Sequence, residues 1–191
     1  MSPDVTTARL WIAWIVSWWL AAFWRDRAVK RPSFGSEIGY RVIVMAGSVL
    51  LYFSFVPGTP RLALWNPGTV VKWMMVALVA AGLLFTWWAR IHLGRLWSSS
   101  VTRKAEHRII DSGPYGLVRH PIYTGVIFAQ VATAVENGSA QALLGAAVMF
   151  VGWYMKARIE ESFLRTQMAP GSYDAYARRV PMLVPFTARS R

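Results

Sequence analysis

Apolar residues run along this chain in five long stretches divided by short polar ones, at roughly 10–24, 42–56, 69–89, 122–135 and 139–155. About 20 apolar residues carry a helix across the roughly 30 Å hydrocarbon layer of a bilayer. The pattern therefore predicts an all-α, integral membrane helical bundle of about five transmembrane helices. The strongest stretch runs from Val70 to Trp88 and is interrupted only by Lys72 near one end. Those ending before Arg25 and before Glu136 are shorter, and flanking Trp, Tyr, Arg and Lys extend them into the headgroup layer. The fourth and fifth are divided only by Glu136-Asn137-Gly138, a turn in which glycine accepts positive φ. They should form a tight antiparallel hairpin. Pro121 suits the first turn of the fourth helix, so residues far apart in sequence, around 120 and 160, return to neighbouring helix ends. Gly82, Gly145 and Gly152 read as helix-packing positions.

The longest polar stretch, 90–120, holds turn signals at Gly94 and at Asp111-Ser112-Gly113-Pro114. Beyond 156 the chain is too polar to span. Pro170-Gly171-Ser172 breaks it, Ser172 is expected to cap a short helix from Tyr173 to Arg179, and 180–186 reads as an extended interfacial segment. No boundary or internal repeat divides the chain. It reads as one membrane domain over 1–191, with three N-terminal spans in 1–89 and the hairpin and tail in 90–191.

Charge fixes an orientation for this layout. If every stretch spans, eighteen of the 21 lysines and arginines fall on one side, leaving only Arg9, Arg61 and Lys72 on the other. Basic residues within about 15–20 positions of a membrane helix are retained in the cytoplasm. The N-terminus is then outside, the C-terminus inside, and a multi-pass protein of a bacterial inner membrane is expected. Composition agrees: 55% of residues are hydrophobic and 16% charged, against about 25% charged in soluble domains. A net charge of +12 would suggest nucleic acid in a soluble protein. Beside membrane spans, anionic lipid is the simpler partner; no nucleic-acid or protein partner is indicated. The tryptophans of the first stretch leave no small-residue cleavage site, so it reads as a retained anchor. Lack of cysteine excludes disulfides and thiolate metal sites, and three histidines without a partner motif argue against a metal.

Two polar clusters should face each other at the inner end of the hairpin. One is Gly113-Pro114-Tyr115-Gly116-Leu117-Val118-Arg119-His120-Pro121-Ile122-Tyr123-Thr124-Gly125; the other is Arg158-Ile159-Glu160-Glu161. Ionisable groups at membrane depth are costly and usually line a cavity. An arginine and a histidine at a helix N-terminus offer an anion site, and two carboxylates a cation site. Together they suit a zwitterion such as the amino-acid part of a cofactor. No Gly-x-Gly occurs anywhere, so a Rossmann-type cofactor loop has no support.

These two clusters, at this separation, resemble the isoprenylcysteine carboxyl methyltransferase family and its phospholipid N-methyltransferase relatives. The resemblance extends upstream through His92-Leu93-Gly94-Arg95-Leu96-Trp97-Ser98 and Glu106-His107-Arg108-Ile109-Ile110, and downstream through Tyr173, Tyr176, Arg179-Val180-Pro181 and Pro185-Phe186. It covers about 90–186; the first two spans carry no family signal. It implies an integral membrane enzyme that transfers a methyl group from S-adenosylmethionine to a lipophilic acceptor. By resemblance, His107, Tyr115, Arg119, His120, Pro121, Tyr123, Glu160 and Glu161 line the cofactor pocket, and Arg119, Arg158 and Glu160 act in catalysis. A carboxylate acceptor such as isoprenylcysteine needs no base, and the sequence offers no dedicated one. A phospholipid N-methyltransferase, an NADPH-dependent membrane reductase and a non-enzymatic scaffold are the alternatives. Each residue also has a plainer role open to it: Arg119 and His120 as membrane anchors, His92 as a helix cap, Tyr173 and Tyr176 as packing for the tail.

Overall fold

A computed structural model describes residues 1–21, 23, 34–56, 58–94 and 109–187. Among them are seven helices: α1 (Pro3–Ala21), α2 (Phe34–Phe53), α3 (Thr69–Leu93), α4 (Pro114–Leu117), α5 (Pro121–Asn137), α6 (Ala140–Gln167) and α7 (Ser172–Arg179). Each of the five apolar stretches lies within or largely overlaps one long helix. By length and composition, α3 and α6 are sufficient to cross a bilayer. The outer faces of the bundle are apolar: Ile12, Val16 and Trp19 on α1, Val42, Met45 and Val49 on α2, and Val70, Met74, Leu84 and Trp88 on α3 all stand exposed. Contiguous apolar surface of this kind suits lipid and not water. The fold is an all-α membrane bundle.

Small residues decide which helices pair. α3 packs along α5 and α2 along α6, with α1 laid against α3. At the first contact Gly82 meets Gly125; at the second Gly47 meets Gly145, and Gly152 lies under Val44. Leu51, Ala134, Ala142, Ala146 and Met149 fill one core cluster, while Trp11, Val79, Leu83, Val126 and Ala129 fill another. The α5–α6 hairpin joins the two pairs. Gly138 turns it at φ 72°, where an added Cβ would stand 2.4 Å from the Trp65 carbonyl oxygen. Ser139 then caps α6, its Oγ accepting the Ala142 N–H at 3.2 Å. At this end Glu136 is buried and accepts the Thr7 hydroxyl at 2.6 Å, and Lys72 pairs with Asp4 at 3.0 Å.

One local expectation is corrected. Ser172 does not cap α7: Gly171, at φ 77°, holds that position, and the Ser172 hydroxyl donates to the Ala169 carbonyl at 2.7 Å. Past its apolar run, which ends near 155, α6 continues to Gln167, because the polar residues that follow are good helix formers. That continuation places Arg158, Glu160 and Glu161 on a regular helix.

Candidate active site

The approach to α5 is built by two prolines and a glycine. Gly113 turns at φ 56° against the His92 imidazole, which an added Cβ would meet at 2.8 Å. Pro114 starts the single-turn α4, and Val118 leaves it extended. Pro121 opens α5 and keeps His120 before it out of the helical region. The backbone at 119–120 is thus free to pair with the tail. Arg119 N–H donates to the Pro181 carbonyl at 2.8 Å and His120 N–H to that of Met182 at 3.1 Å. Thr124 Oγ1 donates to the Leu183 carbonyl at 2.7 Å. The segment after 180 is therefore a strap across the entrance to α5.

Side chains converge at the same place. Glu161 is 1% exposed. Its Oε1 accepts from Arg119 Nε at 2.7 Å and lies 3.2 Å from His120 Nε2, while its Oε2 is 3.5 Å from Arg165 Nη2. Arg119 is also bound by the tail: Nη1 donates to the Ala177 carbonyl at 2.8 Å and to that of Val180 at 2.7 Å. A buried carboxylate stays charged only when paired and hydrogen-bonded, and Glu161 meets both conditions. Glu160 points elsewhere. Its Oε2 accepts the Tyr123 hydroxyl at 2.7 Å and lies 3.8 Å from His120 Nδ1. His120 thus stands between the two glutamates. Its ring stacks on Tyr123 at 5.3 Å between centroids, and Tyr123 stacks on Trp153 at 5.5 Å. Lys156, one turn before Glu160, holds its ammonium 5.2 Å from the Tyr123 ring centroid, 5.5 Å from Tyr40 and 5.6 Å from Trp153. Three aromatic faces around one cation make a cation–π cage.

Arg119, His120, Tyr123, Glu160 and Glu161 form one connected network, and Pro121 sets its backbone. Tyr115 lies a few residues upstream: its carbonyl accepts the Tyr176 hydroxyl at 2.8 Å, and its ring stacks on His92 at 6.3 Å. Burial pushes the phenols of Tyr115, Tyr173 and Tyr176 well above their usual range, so Tyr176 remains a donor. His107 lies outside the described residues. Arg158 faces away from Glu160. At 100° per residue the two are about 200° apart around α6, and Arg158 lines a separate cavity with Arg119, Glu161 and Arg165. His92 is in the last turn of α3, its Nε2 3.0 Å from Ser112 Oγ.

Lys156, Trp153 and Tyr40 were not singled out by sequence reasoning, and they complete the Glu160 side. The spacing Trp153-Lys156-Glu160 repeats at helical intervals and puts them on one face, but a lysine at the end of a span reads first as an anchor. Among the described residues no group of His, Asp and Glu is arranged to hold a metal. The donor set suits an organic zwitterion: a half-exposed carboxylate on Glu160, a histidine between two acids, and stacked aromatic rings.

Comparison with known proteins bears on this arrangement. The model of the isoprenylcysteine carboxyl methyltransferase (ICMT) family matches residues 74–165. The chain is 33% identical over 112 residues to protein-S-isoprenylcysteine O-methyltransferase B of Arabidopsis thaliana, covering 58% of this chain and 51% of that protein. It is 29% identical over 119 residues to a probable protein-S-isoprenylcysteine O-methyltransferase of Oryza sativa subsp. japonica, covering 62% and 56%. The nickel-cobalt-cadmium resistance protein NccN of Alcaligenes xylosoxydans xylosoxydans is 28% identical over 114 residues, covering 59% and 52%. The chain spans about half the length of these curated relatives.

Proposed function

We propose, from the match of residues 74–165 to the isoprenylcysteine carboxyl methyltransferase family, that the chain transfers a methyl group from S-adenosylmethionine to a carboxylate on a lipophilic acceptor. The observation that carries this reading is the closure of Arg119 on Glu161 at 2.7 Å across 42 residues, with His120 and Glu160 beside them. When bound, S-adenosylmethionine would supply an electrophilic methyl on sulfur to an acceptor oxygen, with S-adenosylhomocysteine as the leaving product. Such an in-line displacement depends mainly on positioning and electrostatics.

Glu160 takes the cofactor's amino group or ribose hydroxyls. Its Oε1 has no bond to Tyr123, and its side chain is 31% exposed. His120 and Tyr123 give that ligand a flat wall. Glu161 is saturated by Arg119, His120 and Arg165, so it shapes the pocket by holding Arg119 and His120 in place. Tyr115 contributes from the approach to α5, His107 is assigned to the pocket by resemblance alone, and Arg158, turned away from Glu160, takes no part in the transfer. Lys156, on the same helix face as Glu160, is the cation that meets the acceptor's carboxylate. An acid already ionised at neutral pH needs no base. The acceptor enters from lipid between helices and the cofactor from the cytoplasm, in a five-span inner-membrane arrangement with Arg119 and Glu161 inside.

Calorimetry of detergent-purified protein with S-adenosylhomocysteine tests the cofactor. The wild type should bind, and Glu160→Gln should weaken binding about tenfold, the loss of one charge-assisted hydrogen bond. Absence of binding at millimolar ligand ends the reading. Radiolabelled transfer to a prenylcysteine, with phosphatidylethanolamine as the competing acceptor, identifies the acceptor class. Lys156→Gln is expected to raise KM for the carboxylate about tenfold or more while leaving the S-adenosylhomocysteine Kd unchanged. An unchanged KM would remove Lys156 from the acceptor site.

A further inference from the structure

On the side of Glu161 away from Glu160 lies a cavity of about 350 Å³ that methyl transfer leaves unused. Arg119, Arg158, Glu161, Arg165, Asp174 and Arg178 line it. Arg158, Glu161 and Arg165 recur at intervals of three and four along α6 and so share one face; Asp174 and Arg178, four apart on α7, oppose them. The walls are fixed to each other. Arg165 Nε donates to Asp174 Oδ1 at 2.8 Å, and the Arg165 guanidinium lies 5.2 Å from the centre of the Tyr173 ring. Tyr173 in turn packs with Tyr176 and Val180 against Leu164 and Ile109. Helix α7 is therefore held rigidly over α6, with buried Glu161 between them.

Charge in this cavity does not balance. Four guanidiniums meet two carboxylates, a surplus of two positive charges. Glu161 and Asp174 are already committed, to Arg119 and to Arg165. Arg158 and Arg178 have no ion-pair or hydrogen-bond partner among the described residues, nor has Arg119 Nη2. Planar guanidinium forks match the oxygens of a phosphate bidentately. A phosphate monoester carries about −1.5 to −2 charges at neutral pH, which equals the surplus. A carboxylate would neutralise half of it, and a zwitterionic amino acid none.

We infer that this cavity binds a phosphate monoester group, gripped by Arg158 and Arg178 with Arg119 behind them. The group has two sources, the headgroup of an anionic lipid such as phosphatidic acid or a soluble phosphate monoester, for which inorganic phosphate is the probe. The site stands apart from the Glu160 face and does not depend on the methyl-transfer reading.

The test uses the full chain purified in detergent, titrated with sodium phosphate against sodium chloride at equal ionic strength, with the melting temperature as readout. A parallel arm places the protein in phosphatidylcholine discs with and without phosphatidic acid and scores retained lipid by native mass spectrometry. Phosphate should raise the melting temperature beyond the chloride control, or phosphatidic acid should be retained selectively. R158Q/R178Q should weaken the effect about tenfold or more, and R158K/R178K should keep part of it. Both arginines are exposed, so the ligand-free melting temperature of these variants should match the wild type; if the double variant does not fold, the single variants carry the comparison. Retention of lipid alone assigns the headgroup, and a response to free phosphate alone assigns a soluble anion; each supports the inference. It is overturned if neither arm responds, if the glutamine variants bind as the wild type does, or if S-adenosylhomocysteine displaces phosphate one for one. Failure of S-adenosylhomocysteine to bind at all would end the methyl-transfer reading and leave the phosphate result standing.

Discussion

Arg119→Ala should be among the most damaging single changes in this chain, lowering stability by about 3–5 kcal/mol and eliminating S-adenosylhomocysteine binding. The stability figure follows from what the change leaves behind. Glu161 is 1% exposed, and removing one partner of a buried ion pair strands an uncompensated charge, at a cost of that size. Two further bonds are lost, from Nη1 to the carbonyls of Ala177 and Val180, and those fasten the end of α7 and the start of the strap. Glu161→Gln in the same background should restore much of the stability, since it removes the stranded charge. It should not restore binding, since the strap and the position of His120 depend on the arginine. Thermal unfolding of the two single variants and the double variant, with calorimetry on each, reads both effects. An Arg119→Ala protein that melts and binds as the wild type does would show that the network is ornamental.

The hairpin, the strap and the helix pairs differ in how visible they are before folding. Alternation of apolar stretches and short polar breaks defines the long helices, because burial in lipid requires continuous apolar runs. Glu136-Asn137-Gly138 defines the tight turn, because one residue there must take positive φ. Once those are known, Arg119 and Glu161 must meet. What composition hides is direction around a helix. Glu160 and Glu161 are neighbours in sequence yet serve adjoining faces of α6 about 100° apart, one facing Tyr123 and the other Arg119 and Arg165. Arg158 lies with the second, on a face of α6 turned away from Glu160, a placement that the resemblance by itself does not give. Lys156 was hidden for the converse reason, since a basic residue at a span end has an ordinary explanation until Tyr40, Tyr123 and Trp153 are found around it. The strap was also illegible. Its hold on the site runs through the backbone carbonyls of Pro181, Met182 and Leu183, which no side-chain pattern reports.

Gly125 illustrates the same limit, and replacing it should have the second large effect. In sequence it ends the motif that begins at Gly113, and nothing there assigns it a partner. In the fold it faces Gly82 across the α3–α5 contact, and an added Cβ would stand 2.6 Å from the Gly82 carbonyl oxygen and 2.7 Å from Thr86 Cγ2. A carbonyl in the middle of α3 cannot swing aside as a side-chain tip can, so Gly125→Ala must part the two helices or distort them. Overpacking of this kind costs about 1–3 kcal/mol. The consequence reaches the site as well. Gly125 follows Tyr123 and Thr124 within one helical turn, and Thr86 accepts the Trp14 indole N–H at 2.7 Å, so a shift here displaces Tyr123 from Glu160 and loosens α1. Gly125→Ala is therefore expected to lower the melting temperature and to weaken S-adenosylhomocysteine binding together. Gly39→Ala is the matched control. It lies inside α2 with only Met155 Cε near, at 3.9 Å, so the usual helical advantage of alanine over glycine, about 0.5–1 kcal/mol, should appear there as a gain. If both substitutions stabilise the protein, close approach at Gly125 is not what sets the distance between α3 and α5.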